Sequence, residues 1–301
     1  MKLIIGSRGS KLALAQTYYI KNLLEKIDED IEVEIKIVKT RGDVDQKAPI
    51  SQLGLGVFTK ELDIKMLNYE IDIAVHSLKD VPTVWNEDLT IAATPERESY
   101  HDVLVYSKDV NIEDSIIVGT SSIRRRAFLS LKYPGMRIAP LRGNIDTRLK
   151  KLRDGKYQGI VVAEAGLRRL KIDLDALNLS YRILDIPPAP AQGVIGVAAR
   201  KEDKEIIKLL KKINDSKTYL ESTAERWALK TYGEGCQAPF GALARYCIEG
   251  EELHLTCSVV DLEKGRIVSE DGKIRCDIED VKGAKRLAKY IGSRLKEKIE
   301  S

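Results

Sequence analysis

Ile71-Asp-Ile-Ala-Val-His-Ser-Leu-Lys-Asp-Val-Pro82 reads as a buried strand, Ile71–His76, that runs out in Lys79-Asp80, with Pro82 barring its continuation. Open α/β sheets bind ligands beyond the carboxyl ends of their strands, so Lys79 and Asp80 project where a substrate would sit. An aspartate among arginines stays ionised, and can stabilise a passing cation or accept an N–H hydrogen bond. The plainer alternative is a turn-forming Asp80 held by Lys79. His76 lies within the strand and reads as a packed core residue rather than a base.

Outward from this strand, short apolar segments alternate with amphipathic helices through the first two hundred residues. Lys2–Ile5 is a strand and Lys11–Ile27 a helix with Leu12, Ala15, Tyr19, Leu23 and Ile27 on one stripe. Ile31–Val38 alternates as a strand and Thr59–Asn68 reads as a helix, after which the chain runs through Leu89–Ala93. The charged stretch Pro95-Glu-Arg-Glu-Ser-Tyr-His101 is a crossover into a second lobe. There the pattern resumes: strands Asp102–Tyr106, Ile116–Gly119, Arg137–Pro140 and Gly159–Ala163, with helices Ile123–Leu131 and Asp146–Asp154 between them. Such alternation implies mostly parallel sheets covered on both faces. Ile186-Pro-Pro-Ala-Pro-Ala-Gln-Gly193 is too proline-dense for regular structure and marks a second crossover. Two crossings place a ligand cleft between the lobes. Helices Glu202–Asn214 and Tyr219–Thr231 follow. The tail reads as strands Ala242–Ile248, Glu252–Asp261 and Arg266–Ile274, then helix Asp280–Ile299, a small α+β domain.

Composition excludes more than it identifies. The 301 residues imply two or three domains, and 50 basic against 46 acidic residues leave a net charge of +4 with no basic block, so nucleic acid is not an expected partner. No apolar run reaches about 18 residues, so no membrane span is expected, and the opening residues move directly into a strand rather than a signal peptide. The four cysteines (Cys236, Cys247, Cys257, Cys276) include no CxxC pair, which argues against a zinc knuckle or a disulfide framework and fits a reducing cytoplasm.

Three further motifs carry chemistry. Gly6-Ser-Arg-Gly-Ser10 joins the first strand to the first helix, where free N–H groups attract anions, Ser10 can cap and Arg8 offers a bidentate fork. Gly119-Thr-Ser-Ser-Ile-Arg-Arg-Arg126 repeats the design in the other lobe, with Thr120, Ser122, Arg124 and Arg125. Arginines in a first helical turn oppose the helix dipole, so an anion is expected nearby. Arg142, Arg148 and the Arg168-Arg169 pair extend the basic lining, and Arg41 adds a turn arginine that Asp43 holds in place. In Thr231-Tyr-Gly-Glu-Gly-Cys-Gln-Ala-Pro-Phe-Gly241, glycines and a proline surround Cys236, so the thiol is either presented as a covalent attachment point or simply packed.

Taken together, Gly-Ser-Arg, Thr-Arg-Gly-Asp, Ala-Val-His-Ser-Leu-Lys-Asp-Val-Pro, Gly-Thr-Ser-Ser-Ile-Arg-Arg, Leu-Arg-Gly-Asn, Ala-Gly-Leu-Arg-Arg-Leu, Pro-Ala-Gln-Gly and Gly-Cys-Gln-Ala-Pro-Phe-Gly resemble the hydroxymethylbilane synthase (porphobilinogen deaminase) family, in that family's order. The resemblance implies two periplasmic-binding-protein-like lobes with mixed, mostly parallel sheets plus a small C-terminal α+β domain. Lobe 1 is then residues 1–96 and 193–215, lobe 2 residues 97–192, and the third domain residues 216–301. It implies a transferase that joins four porphobilinogen molecules on a dipyrromethane cofactor, thioether-linked to Cys236. Asp80 with Lys79 is the implied catalytic group. Ser10, Lys79, Asp80, Thr120, Ser122, Arg124, Arg125 and Arg142 would hold the cofactor, and Arg8, Arg142, Arg148, Arg169 and Gln192 the substrate. A monomer in the cytoplasm, without a metal, membrane or nucleic-acid partner, is expected. Leu55 stands where many relatives carry lysine, Ala191 replaces the usual glycine before Gln192, and the linker near Arg97–Asp102 departs from the common pattern. Two rivals share some of these features: a non-enzymatic two-lobed small-anion binder, and a cysteine hydrolase, which lacks a supported histidine among His76, His101 and His254.

Overall fold

The computed structural model describes residues 1–40, 56, 58–113, 115–233 and 239–300. The first lobe opens with β1 (Lys2–Ser7), α1 (Lys11–Ile27), β2 (Glu32–Ile37), α2 (Lys60–Leu67), β3 (Ile73–Ser77) and β4 (Leu89–Ala93). The second contains β5 (Asp102–Ser107), β6 (Ile116–Gly119), α3 (Ile123–Lys132), β7 (Met136–Ala139), α4 (Ile145–Arg153), β8 (Gly159–Ala163), α5 (Glu164–Arg169) and β9 (Leu179–Ile183). Then follow β10 (Ile195–Arg200), α6 (Lys204–Leu210), α7 (Ser216–Tyr232), β11 (Phe240–Cys247), β12 (Glu252–Asp261), β13 (Arg266–Arg275) and α8 (Val281–Glu300).

Strand order is β2-β1-β3-β10-β4 in one sheet, β7-β6-β8-β5-β9 in the second and β11-β12-β13 in the third. Each five-stranded sheet is mixed in the same way. β10 runs antiparallel to both β3 and β4, and β5 antiparallel to both β8 and β9, while the other pairs are parallel. The one reversed strand of each sheet is the strand entered directly from a crossover, so the chain returns to lobe 1 through the strand β10 that sits beside β3.

Side-chain alternation explains the layering. Ile5, Ile73, Val75, Val197 and Ala199 face a core shared with Ile20 and Leu24 of α1, whereas Ala74 and Ala198 face Leu62 and Met66 of α2. Lobe 2 repeats this, with Leu104 and Val161 against Phe128 of α3 and Val103, Val105 and Val162 against Leu149 and Leu152 of α4. The C-terminal sheet buries Ala242, Leu255 and Val259 against α7 and α8. Its Val260 joins the lobe 2 core, so the third domain is docked rather than tethered.

The two crossovers lie side by side. Glu98 N–H donates to Gly193 O at 3.1 Å, and Gly193 has φ +82 with Ser99 O 2.3 Å from where a Cβ would stand. Only glycine fits both the angle and the approach. Ala191, two residues earlier, is also left-handed at φ 59 and fully buried.

The sequence reading differs from the structure in several places. Residues 202–214 form a shorter α6 followed by a 3-10 turn, Lys211–Ile213, and the strands β9 and β10 and the helix α5 were not expected. The Leu78–Asp80 turn is 3-10, so Asp80 sits on a tight turn just past the strand.

Candidate active site

β3 delivers Lys79 and Asp80 to the cleft, and the turn is pinned from both sides. Leu78 N–H donates to Val194 O at 2.9 Å. Arg226 of α7 donates to three carbonyls of the same turn: Leu78 O at 2.9 Å, Val81 O at 2.7 Å and Pro82 O at 2.9 Å. These carbonyls flank Asp80, so its backbone is fixed by a guanidinium from the third domain.

From Lys79 a polar chain crosses between lobes. Its Nζ donates to Gln192 Oε1 at 3.2 Å. The buried Gln192 amide donates in turn to Tyr100 O at 2.9 Å and Asp102 Oδ1 at 3.0 Å. Asp102, at the start of β5, is clamped by Arg124 Nη1 at 2.7 Å and Arg125 Nη2 at 2.6 Å, and Arg125 Nη1 also donates to Val161 O. Burial opposes the Asp102 charge, but the two guanidiniums beside it hold its carboxyl well below the usual range. The anion expected at the start of α3 is therefore, in the first instance, the protein's own. Two arginines against one carboxylate still leave positive charge.

Further cations converge on the same place. Lys79 is half-buried, and burial followed by Arg125 pushes its ammonium down to about 8, with Asp80 and Asp102 pulling the other way. Arg148 is pushed to about 10 by burial, Arg125 and Arg142, and Asp80 opposes this. Asp80, itself exposed, thus sits electrostatically between Lys79 and Arg148. Arg148 Nε donates to Gly143 O at 2.7 Å, which folds it back toward the start of its own helix. Among the described residues, Lys79, Arg124, Arg125, Arg142 and Arg148 come together with Asp80 and Asp102. Such crowding of like charge is unfavourable without a bound anion.

The other expected residues are placed as follows. Ser10 caps α1, accepting from Ala13 N–H at 3.3 Å, and Ser122 caps α3, accepting from Arg125 N–H at 3.4 Å. Thr120 is buried and its Oγ1 accepts from Ser122 N–H at 3.3 Å. Arg8 stacks over the Phe58 ring at 4.2 Å. The start of α1 faces the start of α4, since Lys11 meets Asp146 at 3.5 Å. Arg169 is partly buried, donates to Gly193 O at 2.7 Å and is pushed down to about 10 by burial, whereas the exposed Arg168 pairs with Glu164 and Glu98. His76 is buried as expected and is pushed to about 4 by burial and Arg8. His254 does have a partner, Glu252, on the exposed side of β12. Cys236, Arg41, Asp43 and Leu55 lie outside the described residues. Cys247, Cys257 and Cys276 are free thiols. Gly233, at φ +100, ends α7, and Pro239, ahead of β11, is buried.

A second knot supports the first and escaped the sequence reading. Arg97 donates from Nη1 and Nη2 to the two oxygens of Glu225 at 2.7 and 3.2 Å, and from Nε to Gln192 O at 2.9 Å. Glu225 also accepts from Ala191 N–H at 2.6 Å and Ala244 N–H at 2.9 Å. Both crossovers and β11 are thereby tied to α7. Glu221 and Glu225, four apart on a buried helix face, were the available signal.

Among known proteins, residues 3–208 match the family model described as porphobilinogen deaminase, dipyromethane cofactor binding domain, and residues 219–299 match the porphobilinogen deaminase C-terminal domain. The chain belongs to the porphobilinogen deaminase family. It is accordingly an enzyme, a transferase of tetrapyrrole biosynthesis, and the reading as a non-enzymatic anion binder is set aside. A probable porphobilinogen deaminase of Methanocaldococcus jannaschii is 51% identical over 97% of this chain and 99% of its own length. The porphobilinogen deaminase of a Roseiflexus strain is 41% identical over 90% of this chain and 88% of its own. Among solved structures, the BenM effector binding domain with benzoate covers 70% of this chain and 91% of its own at TM-score 0.46 and 15% identity. No helix among the described residues is long and apolar enough to cross a membrane.

The cleft fits the cofactor that the matched domain binds. A dipyrromethane carries several carboxylates, and the cations around Lys79 and Arg148 supply donors for them.

Proposed function

We propose that this chain is a hydroxymethylbilane synthase. It would join four porphobilinogen molecules head to tail, release ammonia at each addition, and finally hydrolyse the product to hydroxymethylbilane. The observation that carries the reading is the exposed carboxylate of Asp80 on a pinned turn, set between Lys79 and Arg148.

The dipyrromethane, thioether-linked to Cys236, supplies the pyrrole carbon to which the first substrate is joined. Lys79, Arg124, Arg125 and Arg142, with the hydroxyls of Ser10, Thr120 and Ser122, would hold its carboxylates. Arg8, Arg142, Arg148 and Arg169, with Gln192, would hold the acetate and propionate of the incoming porphobilinogen. When the substrate's aminomethyl nitrogen leaves as ammonia, the ring carries positive charge, and Asp80 would be the fixed carboxylate that stabilises it. Lys79, beside it, is pushed down to about 8 and so still carries its charge at neutrality, where it can pair with a carboxylate. Lobes 1–96 with 193–215, 97–192 and 216–301 are the units that would shift as the product lengthens. The protein would work as a cytoplasmic monomer.

Intact mass spectrometry tests the attachment: the wild type should exceed its sequence mass by one dipyrromethane, and Cys236→Ser should lose that increment. Asp80→Asn should keep the increment and lose turnover by about 10²-fold or more. An unmodified wild type from a cofactor-competent host, or near-normal rates in D80N, overturns the respective assignment.

A further inference from the structure

Away from the cleft, a cavity of about 180 Å³ opens where the Asp80 turn and β4 meet α7 and α8. Its wall includes Thr90, Thr223, Arg226, Trp227, Lys230 and Lys285, and no Asp or Glu side chain lines it. The Trp227 indole is surrounded by ammonium groups: Lys230 Nζ at 4.7 Å, Lys285 Nζ at 5.0 Å and Lys289 Nζ at 5.5 Å from its centroid. Among the described residues neither Lys230 nor Lys285 has a carboxylate partner. Cations gathered at the mouth of a hollow whose described lining holds no acid raise the local concentration of anions. Hydroxyls inside the hollow can orient one.

We propose that this cavity is a second binding site, for a single-ring carboxylate anion. An apolar cavity of about 150 Å³ holds benzene, so the volume admits one ring. The indole offers an aromatic wall, and Lys230 and Lys285 meet the carboxylates. The site is independent of the reading of the cleft as the place of reaction, yet it touches that machinery. Leu78 lines the cavity and belongs to the Asp80 turn, and Arg226 in its wall is the residue that fixes the turn. An occupant is therefore in direct contact with the support of Asp80.

The test is titration calorimetry of the whole holoenzyme with benzene-1,2-dicarboxylate at low ionic strength. The same anion can enter the arginine-lined cleft, so three proteins are compared: wild type, Arg148→Ala and the double variant Lys230→Glu/Lys285→Glu. Saturable binding of one equivalent should persist in R148A and weaken by about tenfold or more in the double variant. Benzyl alcohol, similar in size and neutral, should bind at least about tenfold more weakly to the wild type. Lys230 is exposed and Lys285 only half-buried, so the double variant should fold, and its turnover without the anion should match the wild type. Binding lost in R148A but kept in the double variant, equal binding of benzyl alcohol, or no saturable binding overturns the proposal. Because the readout is heat of binding, its failure leaves the assignment of Cys236 and Asp80 untouched.

Discussion

Replacing Glu225 by glutamine should melt the protein several degrees early, for reasons that can be worked from its surroundings. The carboxylate is fully buried and accepts from Arg97 twice, from Ala191 N–H and from Ala244 N–H. An amide of the same shape keeps one acceptor oxygen and turns an NH₂ toward donors, so at least one buried donor is orphaned. It also strips the counter-charge from Arg97, whose side chain is only 7% exposed. Breaking a buried pair this way typically costs about 3–5 kcal/mol. Glu221 stands 3.9 Å from Arg97 Nη1 and partly replaces the lost charge, which places the cost near the lower end. At about 2.1 cal/mol/K of unfolding entropy per residue, a chain of this size loses about 1.5 °C per kcal/mol, so E225Q should melt about 5 °C below wild type.

Differential scanning calorimetry at pH 7 measures this, with two comparisons. Arg97→Met/Glu225→Gln removes both charges and should recover part of the loss, because the cost lies in the unpaired ion rather than in a missing attraction. Lys108→Ala, which breaks the exposed pair with Asp175 at 2.7 Å, should change stability by no more than about 1 kcal/mol. If E225Q melts within about 1 °C of wild type, or the double variant falls below the single one, the knot is not what holds the crossovers to α7.

Four other outcomes follow from the same geometry. His76 is pushed to about 4 from an ordinary 6.5, so between those values the unfolded chain holds the extra proton and stability rises with pH; His76→Gln should flatten the melting temperature across that window. Asp63, pushed up to about 6 mainly by burial, acts oppositely between 3.8 and 6, because there the folded state holds the proton, and Asp63→Asn should steepen the rise. Lys79 loses its charge near pH 8, so kcat/KM should fall above that pH, and Lys79→Arg should carry the basic limb higher. Arg226→Met should lower kcat more than it raises KM for porphobilinogen, since the guanidinium holds three carbonyls of the Asp80 turn; an equal effect on both would deny it a positioning role.

Much of this architecture is legible where one face of an element is buried and the other wet. Helix Lys11–Ile27 and strands Ile116–Gly119, Gly159–Ala163 and Glu252–Asp261 coincide with the sequence reading to the residue. β10 was missed because all six of its residues are buried, so Ile-Gly-Val-Ala-Ala-Arg shows no alternation. β9 was missed for the opposite reason: it is an edge strand, exposed along most of its length. The turn carrying Lys79 and Asp80 was legible because a proline ends an apolar run there.

What sequence alone concealed is the set of long-range charge pairs that decides what each arginine is for. Arg97 and Glu225 lie 128 positions apart, and Arg226 reaches carbonyls about as distant. Arg124 and Arg125 looked like ligand-binding residues, yet their nearest anion is Asp102, itself read only as the start of a strand. That pairing has a consequence for binding. A guanidinium already clamped on a carboxylate is pre-organised, so it loses little side-chain freedom when a ligand arrives. It also offers less net charge than an unpaired one. Arg148, which among the described residues is opposed by Asp80 and is not clamped on it, should therefore contribute more to carboxylate affinity than either Arg124 or Arg125. The clamped pair should matter more to the shape of the site than to its charge.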